Sequence, residues 1–202
     1  MLGTPLPMRF SRLLFALGLC LVVGGSSVRA NESFKFDPAR STIAFKVRHM
    51  LGSAKGKFTK FSGTIEVDRD HPEKSSVVAT IQATSIDTAN TKRDVHLRSA
   101  DFFNVQQFPE ITFKSRRVKQ TGPNAGEIVG DLTMHGVTRP ITLTVQLLGD
   151  SESAVKNSTT RWRVTTRPLK RSDFGIGKGA GGAWTIGDEV AVEIEIEAAR
   201  AR

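Results

Sequence analysis

Eight stretches of this chain alternate apolar and polar residues with period two. That pattern limits the folds open to it. Ile43, Phe45 and Val47 alternate with Ala44, Lys46 and Arg48; Phe61, Gly63, Ile65 and Val67 alternate with Ser62, Thr64, Glu66 and Asp68. The same rhythm runs through Val77–Ala83, Ile111–Lys114, Ile128–Met134, Ile141–Leu147, Arg161–Thr166 and Val190–Ile196. Successive side chains of a strand point to opposite faces, so each stretch has one apolar and one wet face. Strands of a parallel sheet covered on both faces read instead as continuous apolar runs, so the pattern specifies an antiparallel sheet. Turn-forming segments separate the stretches, among them Asp68-Arg69-Asp70-His71-Pro72, Gly122–Gly126 and His135-Gly136, and Gly149–Thr160 is expected to be a polar, mobile connection. The expected fold is all-β: an eight-stranded antiparallel up-and-down barrel, whose closure removes the exposed edges of an open sheet.

One stretch departs from alternation. Val95, Leu97 or Arg98, and Phe102 are spaced closer to a helical period. Thr91 is a suitable cap with Asp94 three residues on, so the spacing predicts a short helix over Thr91–Ala100, between the third and fourth strands. Phe102, Phe103 and Phe108 then enter the core.

The N-terminus reads as a separate segment. Arg9 and Arg12 precede the apolar run Leu13–Val23, and Val28-Arg29-Ala30 ends in a small residue, the layout of a secretory signal peptide. The 11 residues of that run fall short of the ~20 that span a bilayer. Residues 1–30 are therefore expected to be removed, leaving one domain over residues 31–202, periplasmic or secreted. Cys20 lies inside the removed run, so the mature domain has no disulfide and depends on its core. Removal takes away Arg9, Arg12 and Arg29 and no acidic residue, lowering the formal charge from +9 to +6. This basic excess solubilises the surface and permits transient contact with a membrane surface. Nucleic acid is not expected as a partner, because the Phe residues fall on inward strand positions rather than among exposed basic ones.

Several chemical-looking motifs have plain structural explanations. Gly177-Lys178-Gly179-Ala180-Gly181-Gly182 fits a dinucleotide-binding string, but a strand follows where that site needs a helix, so a flexible loop at a barrel mouth is expected. His49, His71, His96 and His135 have no metal-ligating spacing, and the mature chain offers no cysteine, so no metal or other cofactor is expected. There is no G-x-S-x-G nucleophile elbow, and Glu193, Glu195 and Glu197 lie on outward positions. The interior is the open question. An eight-stranded barrel is either filled by side chains or holds one small ligand. The inward faces mix Ile43, Phe45, Val47, Phe61, Ile65, Phe113, Leu132 and Val164 with Gly63, Ala79, Ala83 and Gly130, which allows either a packed core or a cavity.

Separated blocks of the chain resemble the YceI-like family. They are Ser41–Met50, Gly56–Gly63, His96–Phe103 with Phe108–Phe113, Gly130–Pro140 and Arg171–Ile176, in that order, and the resemblance spans about Phe34 to Ala198. It implies a periplasmic, lipocalin-like barrel that binds a long isoprenoid chain, such as a polyprenyl pyrophosphate or a quinone tail, in an internal tunnel. The Gly177–Gly182 loop is richer in glycine than that pattern.

With such a ligand, the expected tunnel wall is Phe45, Val47, Phe61, Leu97, Phe102, Phe103, Phe113, Leu132, Phe174 and Trp184. The polar residues expected near its head are His49, His96, Arg171 and Asp173; the resemblance itself assigns no head contacts. The expected function is a lipid carrier without catalytic residues, as a monomer or a homodimer. The alternatives are an enzyme using a histidine base on such a lipid, for which Asp94 and Asp101 are poorly spaced to orient His96, and a solid-core barrel serving protein contacts.

Overall fold

A computed structural model describes residues 32–50, 52–151, 158–178 and 186–201. The expected signal peptide, Trp184 and Gly179–Gly182 lie outside the described residues.

The strands are β1 (Glu32–Phe36), β2 (Thr42–His49), β3 (Gly52–Phe58), β4 (Phe61–Val67), β5 (Ser76–Gln82), β6 (Ile86–Asp87), β7 (Glu110–Gly122), β8 (Ala125–Met134), β9 (Val137–Ser151), β10 (Thr159–Thr166), β11 (Leu169–Lys170) and β12 (Ile186–Arg200). The one α-helix among the described residues, α1 (Thr91–Arg98), lies between β6 and β7. Pairing runs β1-β4-β5-β7-β8-β9-β10-β12, and β12 returns to pair with β1, which closes an eight-stranded antiparallel barrel. All eight alternating stretches of the sequence are strands of this sheet.

The first three staves of the barrel are each broken once. β1 and β2 both run antiparallel to β12; β4 pairs with β1 while β3 pairs with β2; β5 pairs with β4 while β6 pairs with β3. The breaks are Asp37–Ser41, Thr59–Lys60 and the 3-10 turn Ala83–Ser85. Pro38 cannot donate to a ladder, and the chain bulges there. One backbone and one side-chain bond keep the ladder satisfied: Asp37 N donates to Glu197 O at 2.8 Å, and Glu197 N donates to Ser41 Oγ at 3.0 Å. Adjacent breaks bend the wall, a bend that helps a sheet close into a barrel. β3 escapes the sequence pattern because Gly52, Ser53, Ala54, Lys55, Gly56 and Lys57 have weak strand propensity.

The helix corrects two expectations. It ends at Arg98 rather than Ala100, and Asn90, not Thr91, is its cap: the Asn90 side chain accepts from Arg93 N at 3.0 Å. Eight residues are too few for a helix to persist alone in water. It also lacks an apolar stripe, since Val95 and Leu97 are its only large apolar residues. Polar bonds hold it instead. Buried Asp94 accepts at Oδ1 from Thr88 N (3.0 Å) and Thr88 Oγ1 (2.5 Å). Arg93 donates to Thr88 Oγ1 and O, and Arg98 donates to Thr84 O and Ile86 O, all within 2.7–2.8 Å.

Candidate functional site

The inward faces of the strands do not meet at the barrel centre. They surround a cavity of about 1090 Å³, just above the ~300–1,000 Å³ typical of small-molecule sites. A solid core is thereby replaced by a hollow one. Every stave supplies wall residues, among them Ile43, Phe45 and Val47 of β2, Val77 and Ile81 of β5, Leu143 of β9, Trp162 of β10 and Ile194 of β12.

Glycine explains the hollow. Phe45 faces Gly56 across the β2–β3 ladder, and a Cβ on Gly56 would overlap the Phe45 ring. Gly63 gives the same room to Phe36, and Gly130 to Phe113. Each ring occupies the place of a missing side chain on the wall. Small inward residues thus accommodate bulky neighbours and spare the lumen at once.

Polar residues of the lining collect at the ends. At the α1 end they include His49, Lys92, Arg93, His96, Asp101 and Arg171. At the opposite end they include Asp68 and Arg69 of the β4–β5 loop and Lys119 and Gln120 near the β7–β8 turn.

Of the residues expected in the wall, Phe45, Val47, Leu97, Phe102, Phe103, Phe113 and Leu132 line the cavity. Phe61 and Phe174 do not. Phe61 sits beside the Thr59–Lys60 break and is covered by core neighbours, and Phe174 is buried beneath the 3-10 turn Arg171–Phe174. Trp184 falls outside the described residues. Phe36 and Phe58 line the cavity and were missed. The alternation of Phe34 and Phe36 carried a readable signal for the first; Phe58 was hidden among glycine and lysine.

The expected head-group residues separate into three kinds. His49 and His96 line the α1 mouth, and His96 packs edge-on against Phe102 with centroids 4.9 Å apart. His96 Nε2 also lies 3.2 Å from Asp101 Oδ2, a contact that the five-residue spacing argued against. It forms because the helix stops at Arg98 and the chain turns back. Asp173 is exposed and does not line the cavity; its backbone oxygen accepts from Arg139 Nε at 3.3 Å. Arg171 lines the cavity, but its guanidinium is committed to Gly187 O, Ile176 O and Ile186 O at 2.9–3.2 Å. It fastens carbonyls beside the irregular start of β12, where the register with β2 shifts between Ile186 and Val190. Ser172 donates through N and Oγ to Asp188 at 3.0 and 2.7 Å. The Ser172 hydroxyl bond is the main reason that the Asp188 carboxyl is held below its ordinary value, with Arg171 and Lys170 adding charge.

The opposite end is strapped. Arg69 donates to Glu32 on β1 at 3.1 Å and to Asp150 on β9 at 2.8 Å. β9 lies across the ring from the β4–β5 loop, so this side chain reaches over the bore. Burial opposes the Arg69 charge, and its bonds to Asp150 and Glu32 more than offset that, leaving its pKa above the ordinary value.

The family model for the YceI-like domain matches residues 34–198. The chain belongs to the YceI-like domain family. This YceI-like domain is 35% identical to Protein YceI of Escherichia coli O6:H1 over 172 residues, 85% of each chain. Among solved structures, BcnA of Burkholderia cenocepacia superposes with a TM-score of 0.72 at 25% identity, over 80% of this chain and 98% of that one. A structure described as a polyisoprenoid binding domain from Saccharophagus degradans matches with a TM-score of 0.62 at 18% identity, over 83% of this chain and 98% of that one, and shows the shared fold. The expected eight-stranded barrel with its short helix is the observed one.

Proposed function

We propose that this YceI-like domain is a carrier that holds one long isoprenoid lipid inside its barrel. The observation that carries the reading is the apolar cavity, about 1090 Å³, with its polar residues gathered at the ends. A polyisoprenoid is a long, slender chain of methyl-branched apolar units, and burying it contributes about 25 cal/mol per Å². A compact apolar molecule would leave much of such a bore unfilled. The Saccharophagus relative's description as a polyisoprenoid binding domain supports the same ligand class.

The head would lie at the α1 mouth, whose lining holds Lys92, Arg93 and Arg171 against one carboxylate, Asp101, with Arg171 contributing charge while its donors stay on backbone carbonyls. This balance favours an anionic head, a polyprenyl phosphate or pyrophosphate, over a neutral quinone. The carrier works outside the cytoplasm, in line with the signal-like N-terminus, and the family match begins just past it. It needs no cofactor and no turnover: shielding the chain from water is the whole task.

The test is extraction of the purified protein followed by mass spectrometry, with titration of prenyl lipids read by the fluorescence of Trp162 in the wall. Co-purified isoprenoid or saturable quenching is expected. A protein that neither carries nor takes up any prenyl lipid sinks the reading. Consumption of a prenyl pyrophosphate, lost in His96→Ala, would replace it with the enzymatic alternative.

A further inference from the structure

The outer side of α1 has an exposed apolar residue that no structural role explains. Four residues of the helix, Lys92, Arg93, His96 and Leu97, line the cavity mouth. Asp94 and Arg98 fasten it to the Thr84–Thr88 segment. Val95 belongs to neither group and is 62% exposed. Met50, in the β2–β3 turn at the same end of the barrel, is 80% exposed. Large apolar side chains this open cost hydration free energy, and two of them lie at one end of an apolar bore.

The charge around them is basic. The connections at this end, residues 87–109 and 167–178, carry seven Lys or Arg and four Asp or Glu. Lys92, Arg93, Arg167, Lys170 and Lys178 are exposed. The loop covering the opposite end, residues 68–75, carries two basic residues and three acidic ones. These connections are thus more basic than the β4–β5 loop, and an anionic surface attracts them.

From this juxtaposition we infer that the α1 end is a docking face for an anionic lipid bilayer, with Val95 and Met50 entering the headgroup layer while the basic ring pairs with lipid phosphates. Apolar insertion and electrostatic attraction together are the two contributions that hold peripheral proteins on membranes. Docking in this orientation sets the cavity mouth on the bilayer, so a lipid tail passes between membrane and barrel without crossing water. This face deepens the carrier reading and rests on it for its purpose, though the docking itself is measured without any cavity ligand.

The experiment is co-sedimentation of the protein with phosphatidylcholine vesicles, with and without phosphatidylglycerol. Binding is expected only with phosphatidylglycerol, and it falls at high salt because exposed charges are screened. Neither Lys170 nor Val95 lines the cavity. Lys170→Gln weakens vesicle binding by about fivefold, the effect of one charge near an anionic surface, and Val95→Glu weakens it more. Lys74→Gln, in the loop at the opposite end, leaves it unchanged. Failure to bind anionic vesicles overturns the proposal, as does equal binding to neutral ones or an equal loss in Lys74→Gln. Prenyl-lipid titration of the same variants in solution, where all retain uptake, separates this result from the carrier reading. A wild type that sediments with anionic vesicles but takes up no prenyl lipid counts against the carrier and leaves the docking face standing.

Discussion

The Phe45 ring occupies the space that a side chain on Gly56, its partner across the β2–β3 ladder, would fill. A Cβ there would collide with the ring and also with Thr88 Cγ2. Gly56→Ala therefore pushes the Phe45 ring toward the lumen. Overpacking of this kind costs about 1–3 kcal/mol, to be read from urea unfolding midpoints. Gly56→Ala in a Phe45→Ala background costs less than in the wild type, because the clash with the ring has gone and only that with Thr88 remains. Under the carrier reading, the single variant also takes up long prenyl chains less well than short ones.

Asp94 is the buried anchor of the helix over the mouth. Asp94→Ala leaves the Thr88 amide and hydroxyl without their acceptor, and a buried polar group left unpaired costs about 1–3 kcal/mol. The loss is local first. Hydrogen exchange quickens in α1 at denaturant concentrations where the β8 and β9 amides remain protected.

Asp188 makes stability depend on acid. Its carboxyl is held below the ordinary 3.8 by its bonds to Ser172 and by nearby Arg171 and Lys170. A folded-state pKa below the unfolded one contributes stability that is fully present above 3.8 and is lost as pH falls through the lowered folded value. Asp188→Asn removes this contribution. Its unfolding midpoint lies below that of the wild type at neutral pH, and the gap narrows as the solution is acidified below the ordinary carboxylate range. A gap that stays constant with pH contradicts the assignment.

Arg69 straps the opposite end to Glu32 and Asp150. Partly exposed ion pairs contribute little to global stability, about 0–1 kcal/mol. Arg69→Gln is expected to shift the unfolding midpoint only slightly. It speeds escape of a bound prenyl probe, followed by stopped-flow fluorescence, because the loop no longer spans the bore. An unchanged escape rate places ligand passage at the α1 end alone.

Much of the wall was legible because alternation is a local property. The in-phase spacing of Ile43, Phe45, Val47 and His49 was enough to place all four on the inner face, and all four line the cavity. The 3-10 turn Arg171–Phe174 shows where this logic stops. Phe174 is buried outside the lining and Asp173 is exposed, because a turn has no period-two faces. Arg171 carried the charge expected of a head-group ligand, yet its donors go to Ile176, Ile186 and Gly187, and no sequence spacing announces bonds to backbone carbonyls. β3 was missed because the residues in phase ahead of Phe58, Ala54 and Gly56, are too small to register as an apolar stripe.

The amino-acid sequence by itself determined the one-sided antiparallel strands, since period-two alternation assigns each side chain to a face, and their number pointed to a closed barrel. Whether that interior is solid or hollow was decided only by tertiary structure. A glycine on an inward face means empty space, or a seat for a ring, according to which residue lies across from it. That neighbour is chosen by strand register: Phe36 reaches Gly63 and Phe113 reaches Gly130 only after the ladders have formed. The resulting cavity is a property of paired strands, and no single stretch of chain contains it.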